Sequence, residues 1–306
     1  MEFQRSYFTT GLTRLQKRLH PQHEKYTKII DELNRAQAGE FGEQHIYTIL
    51  QTFPKTEEIY YLHNICIDQV QIDLLAISNS WCIAFEVKNI KGQVRFNTNP
   101  RQLIRKLENQ QEESFQCPQS QLERIISVLN RFFLRHQIKL PIYPAVVFPF
   151  NNAIITPPDS NIPIIIGRDL INFIQRLPVN KPVVNPQKVE ELIQKANEPY
   201  HRFPLASYYG IDETAILKGV ECSACGQIPM TRLKGSWKCL RCGGTDRHAH
   251  VQAILDFYML LSPTMTNRQC RDFLGLRNRH EATRMLSNIS TTREGKTHNS
   301  IYILKI

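Results

Sequence analysis

The chain has 306 residues, enough for two domains or slightly more, and 42% of them are apolar. That composition supports a sizeable core, which excludes a mostly disordered chain. Lys and Arg outnumber Asp and Glu by 38 to 28, for a formal net charge of +10 at pH 7. The excess favours an acidic partner, nucleic acid first and an anionic membrane second, and the alternative is a merely basic surface.

The sequence predicts a cytoplasmic protein without membrane association. No run approaches the ~18–20 consecutive apolar residues of a membrane span, and residues 1–5 lack the apolar stretch of a signal peptide. In a cytoplasmic chain, paired spacings among the eight cysteines indicate metal binding rather than disulfides.

Helical and strand-like patterns alternate along the chain. Two helices are predicted first, and low helix propensity at Gly39 and Gly42 predicts a break in the second. Prolines then dominate residues 178–204, which predicts an interdomain linker around a short helix. The predicted helices are 12–19, 24–50, 100–137, 168–176 and 187–196, and the predicted strands are 59–64, 70–78, 81–89, 143–150 and 162–166.

Four cysteines form a pattern typical of a zinc ribbon. They are spaced C-x₂-C-x₁₃-C-x₂-C, namely Cys222, Cys225, Cys239 and Cys242. Each pair forms a knuckle, and two knuckles complete a closed tetrahedral site, so we expect a structural Zn²⁺ rather than a catalytic one. Four unrelated buried cysteines and a redox C-x-x-C are the alternatives.

Polar residues collect on one face of two neighbouring predicted strands. With a two-residue turn at 79–80, Asp73 lies opposite Glu86, and Gln71 lies opposite Lys88. Opposed carboxylates repel unless a cation lies between them. We therefore expect Asp73 and Glu86 to bind Mg²⁺ or Mn²⁺. Lys88 would stabilise an oxyanion or orient a water, as metal-assisted phosphodiester hydrolysis requires. The alternative is an exposed polar face with an ordinary Glu86–Lys88 salt bridge.

The surrounding sequence resembles the nuclease-related domain (NERD) family of the PD-(D/E)xK nuclease-like superfamily. Over roughly 39–135, four pieces carry the likeness in order: Gly42-Glu43, Gln71-Ile72-Asp73, Glu86-Val87-Lys88, and Gln121 after Pro118. The resemblance implies an α/β fold with a mixed central sheet flanked by helices. It implies metal ligation by Asp73 and Glu86, a catalytic Lys88, and supporting roles for Glu43 and Gln121. Where the family often has Asn-Pro, this chain has Cys117-Pro118.

The C-terminal residues 248–306 are predicted to form a winged helix-turn-helix, with Thr266 as a helix N-cap. Eight basic and three acidic side chains lie in residues 266–306. A protein-binding winged helix with a solvated basic face is the alternative. The candidate contacts to phosphates and base edges are Arg277, Asn278, Arg279, His280, Arg284, Arg293 and Lys296.

These patterns predict a metal-dependent nuclease of five parts, with DNA favoured over RNA as its substrate. The parts are a helical extension (1–38), the nuclease-related domain (39–177), a linker (178–218), the zinc ribbon (219–247) and the winged helix (248–306). Two alternatives remain: a DNA-binding regulator with a degenerate nuclease fold, and an interaction module of a larger assembly. Protein partners and oligomerisation are left open.

Overall fold

The computed structural model describes residues 3–53, 58–158, 160–178, 181–198, 202–289, 291–295 and 300–304. The chain forms two compact units: the first comprises residues 1–6 and 35–201, and the second comprises residues 7–34 and 202–306. Within the described ranges, no helix is both long enough and apolar enough to cross a membrane.

The described helices are α1 (Tyr7–Arg18), α2 (Tyr26–Gln51), α3 (Pro118–Arg135), α4 (Leu170–Gln175), α5 (Pro186–Ala196), α6 (Leu205–Tyr209), α7 (His250–Leu260), α8 (Asn267–Leu274) and α9 (Arg279–Ser287). The described strands are β1 (Tyr60–Ile67), β2 (Val70–Ile77), β3 (Cys82–Val87), β4 (Gly92–Thr98), β5 (Arg101–Lys106), β6 (Glu112–Gln116), β7 (Ile142–Phe148), β8 (Ala153–Thr156), β9 (Ile164–Ile166), β10 (Thr231–Leu233), β11 (Ser236–Lys238), β12 (Thr245–Asp246), β13 (Thr264–Thr266), β14 (Thr291–Glu294) and β15 (Ile301–Leu304).

A five-stranded mixed sheet is the centre of the first unit. Its order is β1-β2-β3-β7-β9, antiparallel as far as β3 and parallel from β3 onward. The predicted β2–β3 register is confirmed from Leu74 opposite Phe85 to Ile77 opposite Cys82. The predicted α/β class, with a mixed sheet flanked by helices, is also confirmed.

Apolar side chains cover both faces of this sheet. On one face, α3 and α5 contribute Leu122, Leu129, Val189 and Ile193 to the core. On the other face, α2 and α4 contribute Ile46, Leu50, Leu170 and Ile174. Helix α5 lies within the predicted linker, and it packs against β1 and β2.

The predicted break in the second helix is wrong, because α2 continues through both glycines. A β-carbon at Gly42 would lie 2.7 Å from Cβ of Asn89 and 3.0 Å from Cγ of Pro149. Both distances are too short for carbon atoms in contact. Glycine is therefore needed there for close packing, and the packing outweighs its low helix propensity.

The predicted helix over 100–137 is wrong in its first half. Residues 92–116 form three strands of a four-stranded sheet, ordered β6-β5-β4-β8, and the helix begins only at Pro118. Lys, Leu, Gln and Glu in this segment favour a helix by intrinsic propensity, but strand pairing overrides it. Strands β8 and β13 were not predicted.

The second unit contains two small three-stranded sheets. One belongs to the cysteine ribbon, and the other accompanies the C-terminal helices. The ribbon has the order β10-β11-β12, and the last sheet, which follows α7, α8 and α9, has the order β13-β15-β14. The predicted N-cap is confirmed, because Oγ1 of Thr266 accepts from the amide of Gln269 at 3.2 Å. Helix α9 begins at Arg279, where the side chain of Asn278 caps it.

A buried ion cluster joins α1 to α7 in this unit. Asp256 is fully buried, and it accepts from Nε of Arg14 and Nε of Arg18, each at 2.6 Å. Arg14 also pairs with Glu221. Removing one partner of such a cluster leaves a buried charge uncompensated and is strongly destabilising.

We predict opposite effects for alanine at the two glycines of α2. Gly42→Ala should lower the free energy of unfolding by about 1–3 kcal/mol, because its new methyl group overlaps Asn89 and Pro149. Gly39→Ala is the matched control and should raise it by about 0.5–1 kcal/mol, since its nearest neighbour would be Glu43 at 4.0 Å. Denaturant unfolding would measure both, and equal shifts would contradict the packing role of Gly42.

Candidate functional site

A cleft of about 730 Å³ lies in the first unit, between α2, the ends of β2 and β3, and the β5–β6 hairpin. All five residues that the sequence predicts as catalytic line it: Glu43, Asp73, Glu86, Lys88 and Gln121. They come from α2, β2, the end of β3 and α3, so the fold gathers residues that are up to 78 positions apart in the sequence.

The carboxylate of Asp73 lies where the β2–β3 ladder ends. The last paired residues are Leu74 and Phe85, and beyond them Oδ2 of Asp73 accepts from the amide of Val87 at 2.9 Å. The side chain thus takes the place of a backbone acceptor on the neighbouring strand. This bond fixes the carboxylate beside the end of β3, where Glu86 and Lys88 follow one another on the same face.

Glu86 and Lys88 form a close ion pair, with 2.6 Å between Oε1 and Nζ. Glu86 is only 3% exposed, and the face of the sheet that carries it continues into the core beneath α3. The alternative prediction of an exposed polar face is therefore wrong, because Glu86 is buried. The salt bridge that it included is present.

Glu43 and Gln121 each bring an unpaired oxygen to the cleft. Oε2 of Glu43 and Oε1 of Gln121 are buried and have no hydrogen-bond partner among the described residues. Unpaired buried oxygens are costly, and native proteins usually satisfy them with a donor, a water or an ion. Together with Asp73 and Glu86, these residues bring hard oxygen donors to one cleft, and oxygen is the ligand type that Mg²⁺ and Mn²⁺ prefer.

Burial raises the pKa of every carboxyl group in this cluster, and repulsion between carboxylates adds to the effect at Glu43 and Glu86. Burial and the charge of Asp73 raise the pKa of Glu86 to about 7. The pKa of Glu43 is well above its usual value for the same reasons, with Glu40 and Glu86 adding to the effect. Burial also raises the pKa of Asp73, although Lys88 opposes it.

One lysine faces these three acids. Burial alone would lower the pKa of Lys88, but the charges of Glu86, Asp73 and Glu43 outweigh it, and the pKa is raised. Lys88 therefore carries its charge at neutral pH. With three carboxylates against one ammonium, the site retains excess negative charge once all are ionised, and a cation would compensate that charge.

One wall of the cleft consists of residues that the sequence analysis missed. The β5–β6 hairpin contributes Arg105, Glu113, Ser114 and Phe115 to the lining, and α2 contributes Arg35. Because residues 100–117 were assigned to a helix, nothing placed them beside Asp73. The available signal was the alternation of polar and apolar side chains just before this segment, in residues 93–97.

The four predicted zinc ligands lie together in the second unit. All four sulfurs are within 4.8 Å of one another, so the alternative of four unrelated cysteines is wrong and the cluster could hold a metal ion. Gly226 and Gly243 follow the knuckles with φ of 72° and 74°, a backbone region that favours glycine. Backbone donors, the amide of Cys242 first, lower the pKa of Cys239 to about 6, which favours the thiolate that metals bind.

The predicted nucleic-acid-binding residues differ in their surroundings. The exposed ones are Arg277, Asn278, Arg279, His280, Arg284 and Arg293. Two of these also have intramolecular partners, since Asn278 caps α9 and Arg293 donates to Oγ of Ser300 at 2.8 Å. Lys296 lies outside the described residues.

The cysteine ribbon is also tied to α9. Nε of Arg232, on β10, donates to Oε1 of Glu281 at 2.7 Å, and the Arg232 guanidinium lies 4.9 Å from the ring centroid of Trp237. The bond joins the ribbon to the helix that carries Arg279 and Arg284. The ribbon therefore helps to hold that helix in position.

Comparison with known proteins identifies the central part of the chain. Residues 38–149 match the model of one family, described as the nuclease-related domain (NERD). The resemblance found in the sequence is thus confirmed, and the matched range includes all five residues lining the cleft that were predicted as catalytic. Neither the curated proteins nor the solved structures contain a match to the chain.

We predict that Glu86 lowers the stability of the metal-free protein at neutral pH. Its pKa is about 7 in the fold against an ordinary 4.5, so the folded protein binds this proton more tightly than the unfolded chain does. The contribution of Glu86 to the free energy of unfolding should therefore fall as pH rises from about 4.5 to about 7. Glu86→Gln should be more stable than the parent at pH 8 in EDTA by about 3–4 kcal/mol, because the two pKa values differ by about 2.5 units at ~1.4 kcal/mol per unit.

The control is Glu123→Gln on α3. Arg101 lowers the pKa of the exposed Glu123. Ionised Glu123 therefore adds to the free energy of unfolding, and this stabilisation should be absent at low pH and small at pH 8. Denaturant unfolding at pH 5 and pH 8 would test both variants. If the parent and Glu86→Gln differed equally at the two pH values, the raised pKa would be contradicted.

Proposed function

We propose that the protein is a nuclease that uses a divalent cation to hydrolyse phosphodiester bonds, with DNA as the favoured substrate. The observation that carries the proposal is the buried group of three carboxylates and Lys88 in one cleft, where Glu43 and Gln121 each have an unpaired oxygen. The match to the nuclease-related domain supports the same reading.

In this proposal each residue of the cleft has a separate role. Asp73 and Glu86 hold Mg²⁺ or Mn²⁺, which would supply Lewis acidity and lower the pKa of a bound water. Lys88, kept charged by its acidic neighbours, stabilises the negative charge that develops on the phosphate oxygens. Glu43 and Gln121 orient water or complete the set of oxygen donors, which satisfies their unpaired oxygens.

The alternative of a degenerate, non-catalytic fold has less support. A domain that had lost catalysis would gain stability by replacing Glu43, Asp73 or Glu86 with neutral residues, because burial penalises their charges. All three acids are present in this chain, and so is the lysine. Buried charges of this kind, which cost stability, are typical of sites where they are used.

We further propose that the second unit binds the substrate. Its sequence of α7, β13, α8, α9, β14 and β15, with sheet order β13-β15-β14, is typical of a winged helix, in which α9 would be the recognition helix. Exposed Arg277, Arg279 and Arg284 suit contacts to phosphates. The four cysteines would hold a structural Zn²⁺, and the Arg232–Glu281 bond would position α9.

We predict that Lys88→Ala and Asp73→Asn each reduce cleavage by about 100-fold or more, because each removes charge from the reacting centre. Far-ultraviolet circular dichroism should show both variants folded. The matched control is Lys91→Ala, an exposed lysine three residues further on, which does not line the cleft. Cleavage of DNA and RNA with Mg²⁺, Mn²⁺ or EDTA would be measured, and variants that cut as fast as the parent would rule out this site.

We predict one bound Zn²⁺ per chain. Cys239→Ser should lower the zinc content and destabilise the ribbon, because metal binding and folding are coupled in such sites. Ser223→Ala lies between two of the ligands and is exposed, so it should leave the content unchanged. Elemental analysis of the purified full chain would decide, and a folded parent protein without zinc would contradict the prediction.

We predict that Arg279→Ala weakens DNA binding and reduces the slope of log affinity against log salt by about one unit, as the loss of one phosphate contact should. Lys195→Ala removes the same charge from the exposed surface of α5 in the first unit and should leave the slope unchanged. A truncation before α7 is a poorer test, since it deletes Asp256 from beside Arg14 and Arg18. Equal slopes for the parent and Arg279→Ala would favour a protein partner for α9.

A further inference from the structure

An arginine–phenylalanine pair faces the same cleft as the carboxylates. Arg105 and Glu113 lie directly opposite each other on β5 and β6, and Phe115 lies two residues beyond Glu113. Since side chains alternate along a strand, all three are on one face of the four-stranded sheet. All three also line the cleft that contains Asp73 and Lys88.

The guanidinium of Arg105 is held in a fixed plane. Its Nε donates to Oε2 of Glu113 at 2.8 Å, and Nη2 donates to the same oxygen. The guanidinium carbon lies 5.4 Å from the ring centroid of Phe115, within the range of a cation–π contact. Glu113 compensates the charge of Arg105. The group is therefore better suited to offering a flat surface than to binding a phosphate.

We propose that Arg105, supported by Phe115, forms a stacking platform for one unpaired nucleobase beside the phosphodiester that is cut. The substrate of this site would then be single-stranded at the point of cleavage: a single strand, a loop or a flap. This inference rests on the proposed nuclease function, because the position of the base is defined relative to the carboxylate cluster.

Physical chemistry links the platform to single strands. In a duplex both faces of each base are covered by its neighbours, so a base reaches a side-chain platform only after it leaves the stack. Arginine planes and aromatic rings stack on such free bases without regard to sequence. With the platform and the carboxylates in one cleft of about 730 Å³, the stacked base belongs to a nucleotide next to the reacting phosphate or one step away.

Arg105→Lys is the decisive variant, because it keeps the charge and removes the planar group. The full-length protein would be titrated in EDTA, so that no cutting occurs, with a single-stranded oligonucleotide and with the same sequence as a duplex. The affinity for the single strand should fall by about 5- to 100-fold, the range expected for the loss of one stacked base. The affinity for the duplex should not change.

Arg101→Lys is the matched control. Arg101 lies on the same strand, and it is paired with Glu123 through Nη1 at 2.7 Å and Nη2 at 2.8 Å, but it does not line the cleft. Phe115→Leu, which removes the aromatic support, should shift affinity in the same direction as Arg105→Lys. The fluorescence of 2-aminopurine placed next to the bond proposed for cleavage should change when the parent binds, because the base leaves its stack, and should not change with Arg105→Lys, a difference that a merely structural arginine would not produce.

The outcomes separate this inference from the proposed function. Equal losses of single-strand affinity in Arg105→Lys and Arg101→Lys would overturn the platform. So would a parent protein that binds and cuts the duplex as well as the single strand. In both cases, loss of cleavage in Lys88→Ala would still support the nuclease proposal. If no cleavage occurs but the affinity for the single strand still depends on Arg105 and not on Arg101, the stacking site stands and the nuclease proposal fails.

Discussion

A single lysine opposing three buried carboxylates is the constraint on which the candidate site depends. Burial raises the pKa of all three acids, and repulsion from neighbouring carboxylates adds to the effect at Glu43 and at Glu86, whose pKa is raised to about 7. The fold brings the acids together despite this cost, because Gly42 lets α2 approach the chain after β3 and Asp73 binds the amide of Val87. Such a cluster is stable only if other packing maintains it, and its excess charge is what makes a cation the fitting partner.

The second unit shows what a purely structural buried acid looks like. Asp256 is fully buried, like the acids of the cleft, but Nε of Arg14, Nε of Arg18 and Nε2 of Gln252 all donate to it. Its charge is satisfied within the protein by these three donors. Glu43 instead keeps an oxygen without a partner beside an open cleft. The two environments separate an acid that holds helices together from acids that have room for a ligand.

The sequence predicted those parts that depend on short-range rules. The β2–β3 register follows from a tight turn and a two-residue side-chain period, and the Thr266 cap and the cysteine cluster follow from local spacing. The sequence-based predictions were wrong where long-range packing decides the outcome. Gly42 does not break α2, because a glycine is needed there for close contact with Asn89 and Pro149. Residues 100–117 have a helix-forming composition, but strand pairing overrides it. Glu43 and Gln121 entered the site by family resemblance, because no local rule relates α2 or α3 to the ends of β2 and β3.

The wall of the cleft is itself part of the segment that joins two of its functional residues. Lys88 directly follows β3, and Gln121 lies in the first turn of α3. Strands β4, β5 and β6 lie between these two residues in the chain. Both ends of that segment are fixed by the reacting centre, so the hairpin carrying Arg105 and Phe115 must emerge next to the carboxylates. If the proposed function holds, substitutions on the hairpin would change which nucleic acid enters the cleft, while Asp73, Glu86 and Lys88 stay where the central sheet holds them. Selectivity and chemistry would then be carried by separate elements of one unit, and the four-stranded sheet would be the element that can vary.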